Sequence, residues 1–233
     1  VFLLVFVQAA SAADFSPWGK KLRVQFSGYN KAETLTNFPA LVVLNTNIIG
    51  LSYGDFISGS NADLRFSDGG GTNELNFEVD EWNTNGSSYV WVQIPQLVDT
   101  NTSIWAYWSR TGQTTPAYAT NGSTWSNGYI GVWHLRQTND TDSTTNQWAG
   151  TAVSNTTAAG RVGSGQAFGA AGARIVLPAG ISTQTASSVT AEGWAYLNSY
   201  TAGTYPAILS EVYVADDVEF TISLWNDGNL QGG

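Results

Sequence analysis

The stretch Ile104-Trp105-Ala106-Tyr107-Trp108 shows most clearly how this chain folds, because its side chains alternate with the period of two that β-strands have. Ile104, Ala106 and Trp108 share one face of such a strand. Trp105 and Tyr107 share the other face. The stretch therefore predicts a β-strand with two different faces, one of them toward a hydrophobic core.

Alternating segments of this kind recur along the chain, and polar turn clusters separate them. The segments are 22–26, 63–67, 89–94 and 104–108, and the turn clusters are 67–71, 83–86 and 226–228. No segment keeps the apolar period of 3.6 residues that a helix requires. Many short strands at regular spacing are typical of β-sandwiches, so the sequence predicts an all-β protein.

The polar stretch 111–127 lacks alternation and predicts a domain boundary. Residues 14–115 before it have the usual size of a domain, about 100 residues. Residues 128–233 after it contain further alternating segments. We therefore expect two jelly-roll-like β-sandwich domains in tandem, at 14–115 and 128–233, preceded by an apolar segment at 1–13.

Composition excludes several classes of function. The net charge is −9 and only 12% of the residues are charged, with the nine basic residues scattered. No basic patch exists to neutralise phosphates, so neither nucleic acid nor an anionic membrane surface is an expected partner. The absence of cysteine excludes thiol catalysis and cysteine–zinc sites, and the single histidine excludes a histidine-rich metal site.

The apolar N-terminal segment has two interpretations. It begins with an unbroken run of seven apolar residues: Val1, Phe2, Leu3, Leu4, Val5, Phe6 and Val7. The small residues Ala10 and Ala12 that follow are typical of a signal-peptidase site, which makes the run the remnant of a secretory signal peptide. Alternatively, the run is a β-strand that must be buried on both faces. It is too short to span a bilayer, which takes about 20 apolar residues.

Two sets of sequence blocks carry a resemblance to known families. The first set is 38–44, 62–68, 75–83, 90–97 and 104–108, and the second set is 131–151, 160–168 and 188–197. The first set resembles a bacterial extracellular domain of unknown function that also occurs beside proton-channel proteins of the MotA/TolQ/ExbB type. The second set resembles the start of a laminin-G-like, concanavalin A-like jelly roll. The resemblance implies a secreted protein of a bacterial cell surface and no established activity for the first domain.

The second segment is shorter than a laminin-G-like jelly roll usually is. An incomplete sandwich has open strand edges that need a partner strand. Donation of Val1–Val7 from one subunit into the next would cover these edges, and repeated head to tail it would build a fimbria-like filament. Truncation of a gene fragment at both ends is the alternative.

The acidic stretch 78–82 raises the question of catalysis. Laminarinase-type glycosidases place three acids on one strand in the pattern E-x-D-x-x-E, as nucleophile, assisting acid and proton donor. Glu78 and Asp80 fit that pattern, but Asn83 occupies the third position. An edge strand with a polar outer face is therefore the favoured interpretation. His134 has no serine–aspartate context and is expected to be a hydrogen-bonded structural residue, so we expect no enzyme.

Three further kinds of site are candidates. Asn139, Asp140 and Asp142 offer oxygen ligands that suit calcium, or else they cap an Asx turn; Asp216 and Asp217 are a weaker pair. Trp105 and Tyr107 form a stacking platform for sugar rings if the opposite face of their strand lies in the core and nothing covers theirs. The favoured alternative is that the partner sheet and the neighbouring domain cover both faces. Glycosylation sequons occur at Asn85, Asn101, Asn121, Asn139 and Asn155.

Together these features predict a secreted, non-catalytic structural protein, a subunit of an extracellular filament or surface assembly that polymerises by strand donation. The alternative is a carbohydrate-binding, lectin-like module of a larger bacterial adhesin or polysaccharide-degrading enzyme. No cofactor other than calcium is expected.

Overall fold

The computed structural model describes residues 12–136, 141–178 and 190–197, and the backbone of three strands at 207–214, 217–224 and 230–232. In these residues the regular secondary structure consists of thirteen β-strands and three short 3₁₀ helices, which confirms the all-β fold class. The strands are β1 (Lys20–Gln25), β2 (Leu35–Asn45), β3 (Arg65–Asp68), β4 (Phe77–Glu81), β5 (Ser87–Leu97), β6 (Ser103–Trp108), β7 (Thr151–Val153), β8 (Thr156–Ala159), β9 (Ser164–Ala167), β10 (Arg174–Val176), β11 (Ala207–Val214), β12 (Asp217–Leu224) and β13 (Leu230–Gly232). The 3₁₀ helices are Tyr53–Asp55, Ala117–Ala119 and Ser123–Trp125.

The chain divides into two compact units, Val1–Pro178 and Ala179–Gly233. The first unit contains two three-stranded antiparallel sheets, which we call sheet 1 (β1–β6–β3) and sheet 2 (β2–β5–β4), and two antiparallel strand pairs, β7–β10 and β8–β9. In the second unit β11, β12 and β13 pair in that order as an antiparallel sheet. In the part of the chain that the structure describes, no helix is both long enough and apolar enough to cross a membrane.

Sheets 1 and 2 share one hydrophobic core. In β6, Ile104, Ala106 and Trp108 are each 1% exposed, so this face of the strand lies in the core as the alternation predicts. Phe66 of sheet 1 and Phe77 of sheet 2 meet edge to face, with ring centroids 5.3 Å apart. Each such side chain contributes about 1.5–3 kcal/mol on burial, so the paired inner faces are the main stabilising element of this unit.

The two long sides of this sandwich differ. On one side residues 73–77 cross from sheet 1 to sheet 2. The Leu75 N–H donates to the carbonyl of Phe66 in sheet 1, and the Asn76 carbonyl accepts from the N–H of Gln93 in sheet 2, each at 2.9 Å. On the other side β1 and β2 are edge strands with no second partner strand among the described residues. Lysines on β1 and Pro39 in β2 are features by which native sheets discourage further strand pairing.

The outer face of sheet 2 is covered by the chain that follows the sandwich strands. Trp125, in the 3₁₀ helix Ser123–Trp125, packs on Trp91 of β5 with ring centroids 5.3 Å apart. The Gln93 side chain of β5 donates to the Thr124 carbonyl at 3.3 Å. The compact units accordingly divide after Pro178 and not within the polar stretch 111–127. The physical reason is that the aromatic side chains on the outer face of sheet 2 are stabilised when other residues bury them. The polar character of the stretch 111–127 does not show that this stretch contains such residues.

Candidate functional site

The candidate site lies on β4, the edge strand of sheet 2 that carries the acidic stretch. Phe77 is 1% exposed and faces the core, so the alternation turns Glu78 and Asp80 to the outer face. That face is polar, as predicted, but it is not solvated: the side chains of Glu78 and Asp80 are 16% and 5% exposed. Residues 120–136 and 141–143 lie over them and supply most of their partners.

His134, the only histidine of the chain, lies between these two carboxylates. Its Nε2 is 3.5 Å from Glu78 Oε2, and its Nδ1 is 3.5 Å from Asp80 Oδ2. Its ring stacks on Trp91 with centroids 5.9 Å apart and planes 17° apart. The His134 side chain is 7% exposed, so the structural role predicted for it takes the form of a buried ionic cross-link.

Each carboxylate has further partners. Glu78 accepts hydrogen bonds from the Trp125 indole N–H and, at 2.7 Å, from the Ser143 hydroxyl. Asp80 accepts a hydrogen bond from Trp91 Nε1 at 3.2 Å. Arg136 pairs with Asp80 through its Nε, 3.2 Å from Oδ1, and its Nη1 donates to the Asp80 carbonyl. When His134 is protonated, the two cations His134 and Arg136 therefore balance the two carboxylates Glu78 and Asp80. We call these four residues the acid–histidine cluster.

The pKa values in the acid–histidine cluster shift in different directions. Burial opposes the charge on His134, but the Glu78 and Asp80 carboxylates outweigh it and raise the His134 pKa. Burial also opposes the charge on Glu78, yet His134, Ser143 and Trp125 together lower the pKa of Glu78. For Asp80 burial dominates, and its pKa is raised although His134 and Trp91 favour the carboxylate.

Two turns of the covering chain hold these partners in place. Gly122 has a φ of 87°, and a side chain there would collide with the backbone of Thr144 and Thr145, so only glycine allows the two turns to meet. Asp142 Oδ1 accepts the N–H groups of Val132 and Thr144, each at 2.8 Å. This Asx turn orients Ser143 toward Glu78 and attaches the residues before His134.

A cleft of about 430 Å³ lies beside the cluster. Its polar lining includes Asn61, Asp80, Glu81, Thr115, Arg136 and Ser164, and Trp82 supplies an aromatic wall. A second cavity of about 230 Å³ shares Val79, Ala119, Thr120 and Arg136 with it and reaches Glu78. Arg136 therefore belongs both to the acid–histidine cluster and to the wall of the cleft.

Two buried polar atoms in this wall, Glu81 Oε2 and Trp82 Nε1, have neither a hydrogen-bond nor an ion-pair partner among the described residues. Both are shielded from solvent, and a buried donor or acceptor without a partner costs about 1–3 kcal/mol. The Trp82 ring is held edge-on against Phe56, with centroids 4.8 Å apart. Such groups are retained in native proteins where a ligand or water completes them.

The predicted stacking platform is not available as a pair. Tyr107 is 5% exposed because Phe15 stacks on it, with ring centroids 4.3 Å and planes 12° apart. Trp105 is half-buried, donates its Nε1 proton to the Gly69 carbonyl at 3.2 Å, and has Lys21 Nζ 4.8 Å from its ring centroid. Residues just before β1 thus cover this face, which the alternation of β6 alone does not reveal.

Of the predicted calcium ligands, only Asp142 lies in the described part of the chain. It is 2% exposed, and its second carboxylate oxygen accepts the Thr144 hydroxyl at 2.6 Å, so it performs the alternative role of capping an Asx turn. Asn139, Asp140 and Asp216 lie outside the described residues, and for Asp217 only the backbone is described. Among the described residues no group of three or more carboxylate or histidine side chains is arranged to hold a metal ion.

The remaining candidates have different surroundings. The sequons at Asn85, Asn101 and Asn121 are exposed, whereas Asn155 is 7% exposed and donates to Gln166 Oε1 at 2.7 Å. A glycan on Asn155 would have to displace that hydrogen bond. The sequon at Asn139 and the apolar run Val1–Val7 lie outside the described residues.

No protein-family model matches this sequence, and neither a curated protein nor a solved structure matches it. The resemblance to a bacterial extracellular domain and a laminin-G-like jelly roll therefore stays a prediction.

Proposed function

We propose that this chain is a non-catalytic, extracellular β-sandwich module of a bacterial cell surface that binds carbohydrate in the cleft beside β4. The observation that carries the proposal is the cleft of about 430 Å³ with both hydrogen-bond donors and acceptors and one tryptophan in its wall. Small-ligand sites typically have about 300–1,000 Å³ and a few placed polar groups. The extracellular location is supported by the sequence resemblance and the apolar N-terminal run.

A hydroxyl group is the ligand chemistry that suits the two unpartnered atoms of the wall. Glu81 Oε2 can only accept a hydrogen bond, and Trp82 Nε1 can only donate one. A hydroxyl both donates and accepts, whereas an ammonium group would serve Glu81 alone and an anion Trp82 alone. Both atoms are shielded from solvent, so the proposal requires the wall of the cleft to open around them when a ligand binds.

The charge of the wall favours a neutral sugar over an anionic polysaccharide. Asp80 and Glu81 line the cleft together with a single cation, Arg136, which is already paired with Asp80. The whole chain has a net charge of −9. A uronate or sulfate group would be repelled at this wall, while a neutral pyranose would not.

The acids of β4 serve the structure in this proposal. Glu78 is held by Trp125 and Ser143, and its lowered pKa keeps it from storing a proton for a leaving group. Asn83, which stands where a third acid would be, accepts the Asn85 N–H at 3.0 Å and closes the turn after β4. The carboxylates are thus committed to packing the covering chain onto sheet 2.

The binding proposal predicts that Trp82→Phe and Glu81→Gln each weaken carbohydrate affinity by about tenfold, because each removes one hydrogen bond to the ligand without emptying the wall. Affinity electrophoresis in soluble β-glucan, galactomannan, starch and polygalacturonate measures this. We expect retention in a neutral polysaccharide and none in polygalacturonate.

Trp105→Phe is the matched control for this experiment, since Trp105 is a half-buried tryptophan on the outer face of sheet 1, and its binding should equal that of the wild type. Loss of binding in Trp105→Phe with full binding in Trp82→Phe would move the site to sheet 1. Absence of retention in every polysaccharide would refute the carbohydrate proposal.

Assembly by strand donation is the second proposal. It is supported by β2, whose residues Ala40, Val42 and Leu44 are 6%, 4% and 1% exposed and whose outer edge has no partner strand among the described residues. Val1–Val7 from a second copy has the apolar character that such an edge would accept. The part of β2 after Pro39 is the stretch where a ladder can form.

The strand-donation proposal predicts concentration-dependent polymers of the secreted protein in sedimentation velocity, and monomers for Leu4→Lys, because a lysine cannot be buried between two sheets. Lys31→Glu, an exposed change, should leave the polymers intact. N-terminal sequencing of the secreted protein accompanies the measurement. A chain that begins at Ala13 or Asp14, or one that sediments as a monomer at all concentrations, would contradict the proposal.

A further inference from the structure

We propose that protonation of His134 controls binding in the cleft, by attaching residues 130–136 and with them Arg136 of the cleft wall to β4. This inference depends on the proposed carbohydrate function for its ligand. The attachment itself depends only on contacts within the chain.

The geometry makes His134 and Arg136 two anchors of one segment. His134 lies 3.5 Å from both Glu78 and Asp80, and Arg136 Nε lies 3.2 Å from Asp80 Oδ1. Between the two anchors Leu135 has a φ of 60°, in the left-handed region that β-carbon-bearing residues rarely adopt. A backbone held in that region requires restraint on both sides. Two further hydrogen bonds hold the segment, from Gln166 Nε2 to the Leu135 carbonyl at 3.1 Å and from Trp133 Nε1 to the Trp148 carbonyl at 3.2 Å. Release of the His134 anchor therefore loosens the segment around Leu135 and lets Arg136 shift, without detaching the segment.

The charges around His134 come from two elements. β4 contributes Glu78 and Asp80, and the segment of His134 itself contributes Arg136. The aromatic neighbours of His134 are uncharged: Trp91 of β5 and Trp125 of the 3₁₀ helix. With His134 neutral, one carboxylate of this buried group lacks a counter-charge, and a buried charge without a partner is strongly unfavourable.

The sign of the pH dependence follows from the direction of each shift. The raised His134 pKa gives stability that is complete below its ordinary pKa of about 6.5 and is lost as pH rises through the folded-state value. The lowered Glu78 pKa gives stability that is lost only as pH falls below about 4.3. As the pH falls, Asp80 takes up a proton at a higher pH than Glu78 does, because the pKa of Asp80 is raised. Attachment is therefore strongest below the ordinary histidine pKa of about 6.5 and above the pH at which Asp80 takes up its proton.

The first experiment measures the attachment without a ligand. The chain has one histidine, so the imidazole NMR signals report the His134 pKa without assignment by mutagenesis. We expect a pKa above 6.5 and, over the same pH range, an increase in the hydrogen exchange of backbone amides in 130–136 after correction for the intrinsic pH effect. A His134 pKa at or below 6.5 would overturn the inference, whether or not carbohydrate binds. So would a rate of amide hydrogen exchange that does not change as His134 titrates.

The second experiment measures binding of the neutral polysaccharide retained in the affinity gel, from pH 5.5 to 8.5. We expect the affinity to fall about tenfold along the His134 titration, and His134→Gln to bind weakly at every pH because glutamine carries no charge. Lys20→Gln is the matched control, since it neutralises the exposed Lys20–Asp55 pair, 3.7 Å apart. It should keep the pH dependence of the wild type.

The two experiments separate the possible failures. Binding that does not vary with pH would overturn the inference and leave the carbohydrate function standing. Absence of binding at every pH would overturn both the carbohydrate function and its control by His134. This holds even if the NMR titration shows that protonated His134 attaches residues 130–136.

Discussion

Replacing Asp63 with alanine is expected to lower the free energy of unfolding by about 4 kcal/mol. Asp63 is 0% exposed, and its Oδ2 accepts three backbone N–H groups: those of Ile57 at 3.1 Å, Ser109 at 2.9 Å and Arg110 at 3.1 Å. Alanine leaves all three donors without a partner, each at a cost of about 1–3 kcal/mol, and water entering the vacated space recovers part of it. The three bonds connect the loop after helix Tyr53–Asp55 to the end of β6.

Urea unfolding followed by tryptophan fluorescence measures this change. Asp63→Asn keeps an acceptor oxygen but loses its charge, so about half of the loss is expected. Asp99→Ala is the matched control, because Asp99 accepts the Asn101 N–H at 2.8 Å in an exposed turn where water replaces it. The control should change stability by less than about 1 kcal/mol. A similarly small change for Asp63→Ala would show that the carboxylate does not hold the two loops together.

Replacing Glu78 with alanine is expected to lower the free energy of unfolding by about 3 kcal/mol at pH 6. The change leaves protonated His134 with one carboxylate instead of two, and it removes the acceptor for Trp125 and Ser143. At pH 8.5 the loss should be smaller, because His134 is then closer to neutral and needs less counter-charge. Urea unfolding at both pH values tests the size and the sign.

Two variants separate a structural Glu78 from a catalytic one. Glu78→Gln keeps one oxygen for Trp125 or Ser143 and is expected to lose about 1–2 kcal/mol. Glu33→Ala, an exposed acid, should lose less than about 0.5 kcal/mol. A β-glucan that the wild type hydrolyses and Glu78→Gln does not, with stability almost unchanged, would contradict the structural role and make the acidic strand an active site.

Several local features of the fold follow from the order of the residues. The alternation at 104–108 correctly predicts a strand with two different faces, one of them in the core, and the stretch 78–82 correctly predicts an edge strand with polar side chains outward. Both features depend on the period of two of an extended chain and on the preference of large apolar side chains for the core. Neighbouring residues carry that information completely.

The surroundings of the same residues were not predictable in this way. Glu78 and Asp80 were expected on the polar outer face of an edge strand, yet residues 120–136 and 141–143 bury them against His134, more than fifty residues further along the chain. The face of Tyr107 was expected to be covered by a neighbouring domain, yet the residue that stacks on Tyr107 is Phe15, which precedes β1. These contacts join segments that are far apart in the sequence, and no local pattern predicts that they meet. Closing such a long loop carries an entropic cost, which only the sum of many tertiary contacts offsets.

The linear sequence therefore accounts for the all-β class and for the orientation of side chains within each strand, since these depend on residue type and on the geometry of adjacent residues. The acid–histidine cluster, the cleft beside it and the cover on both outer faces come from the three-dimensional packing. Their chemistry depends on distance and burial: a carboxylate in water is an ordinary surface group, and the same carboxylate buried 3.5 Å from a histidine becomes half of an ionic cross-link.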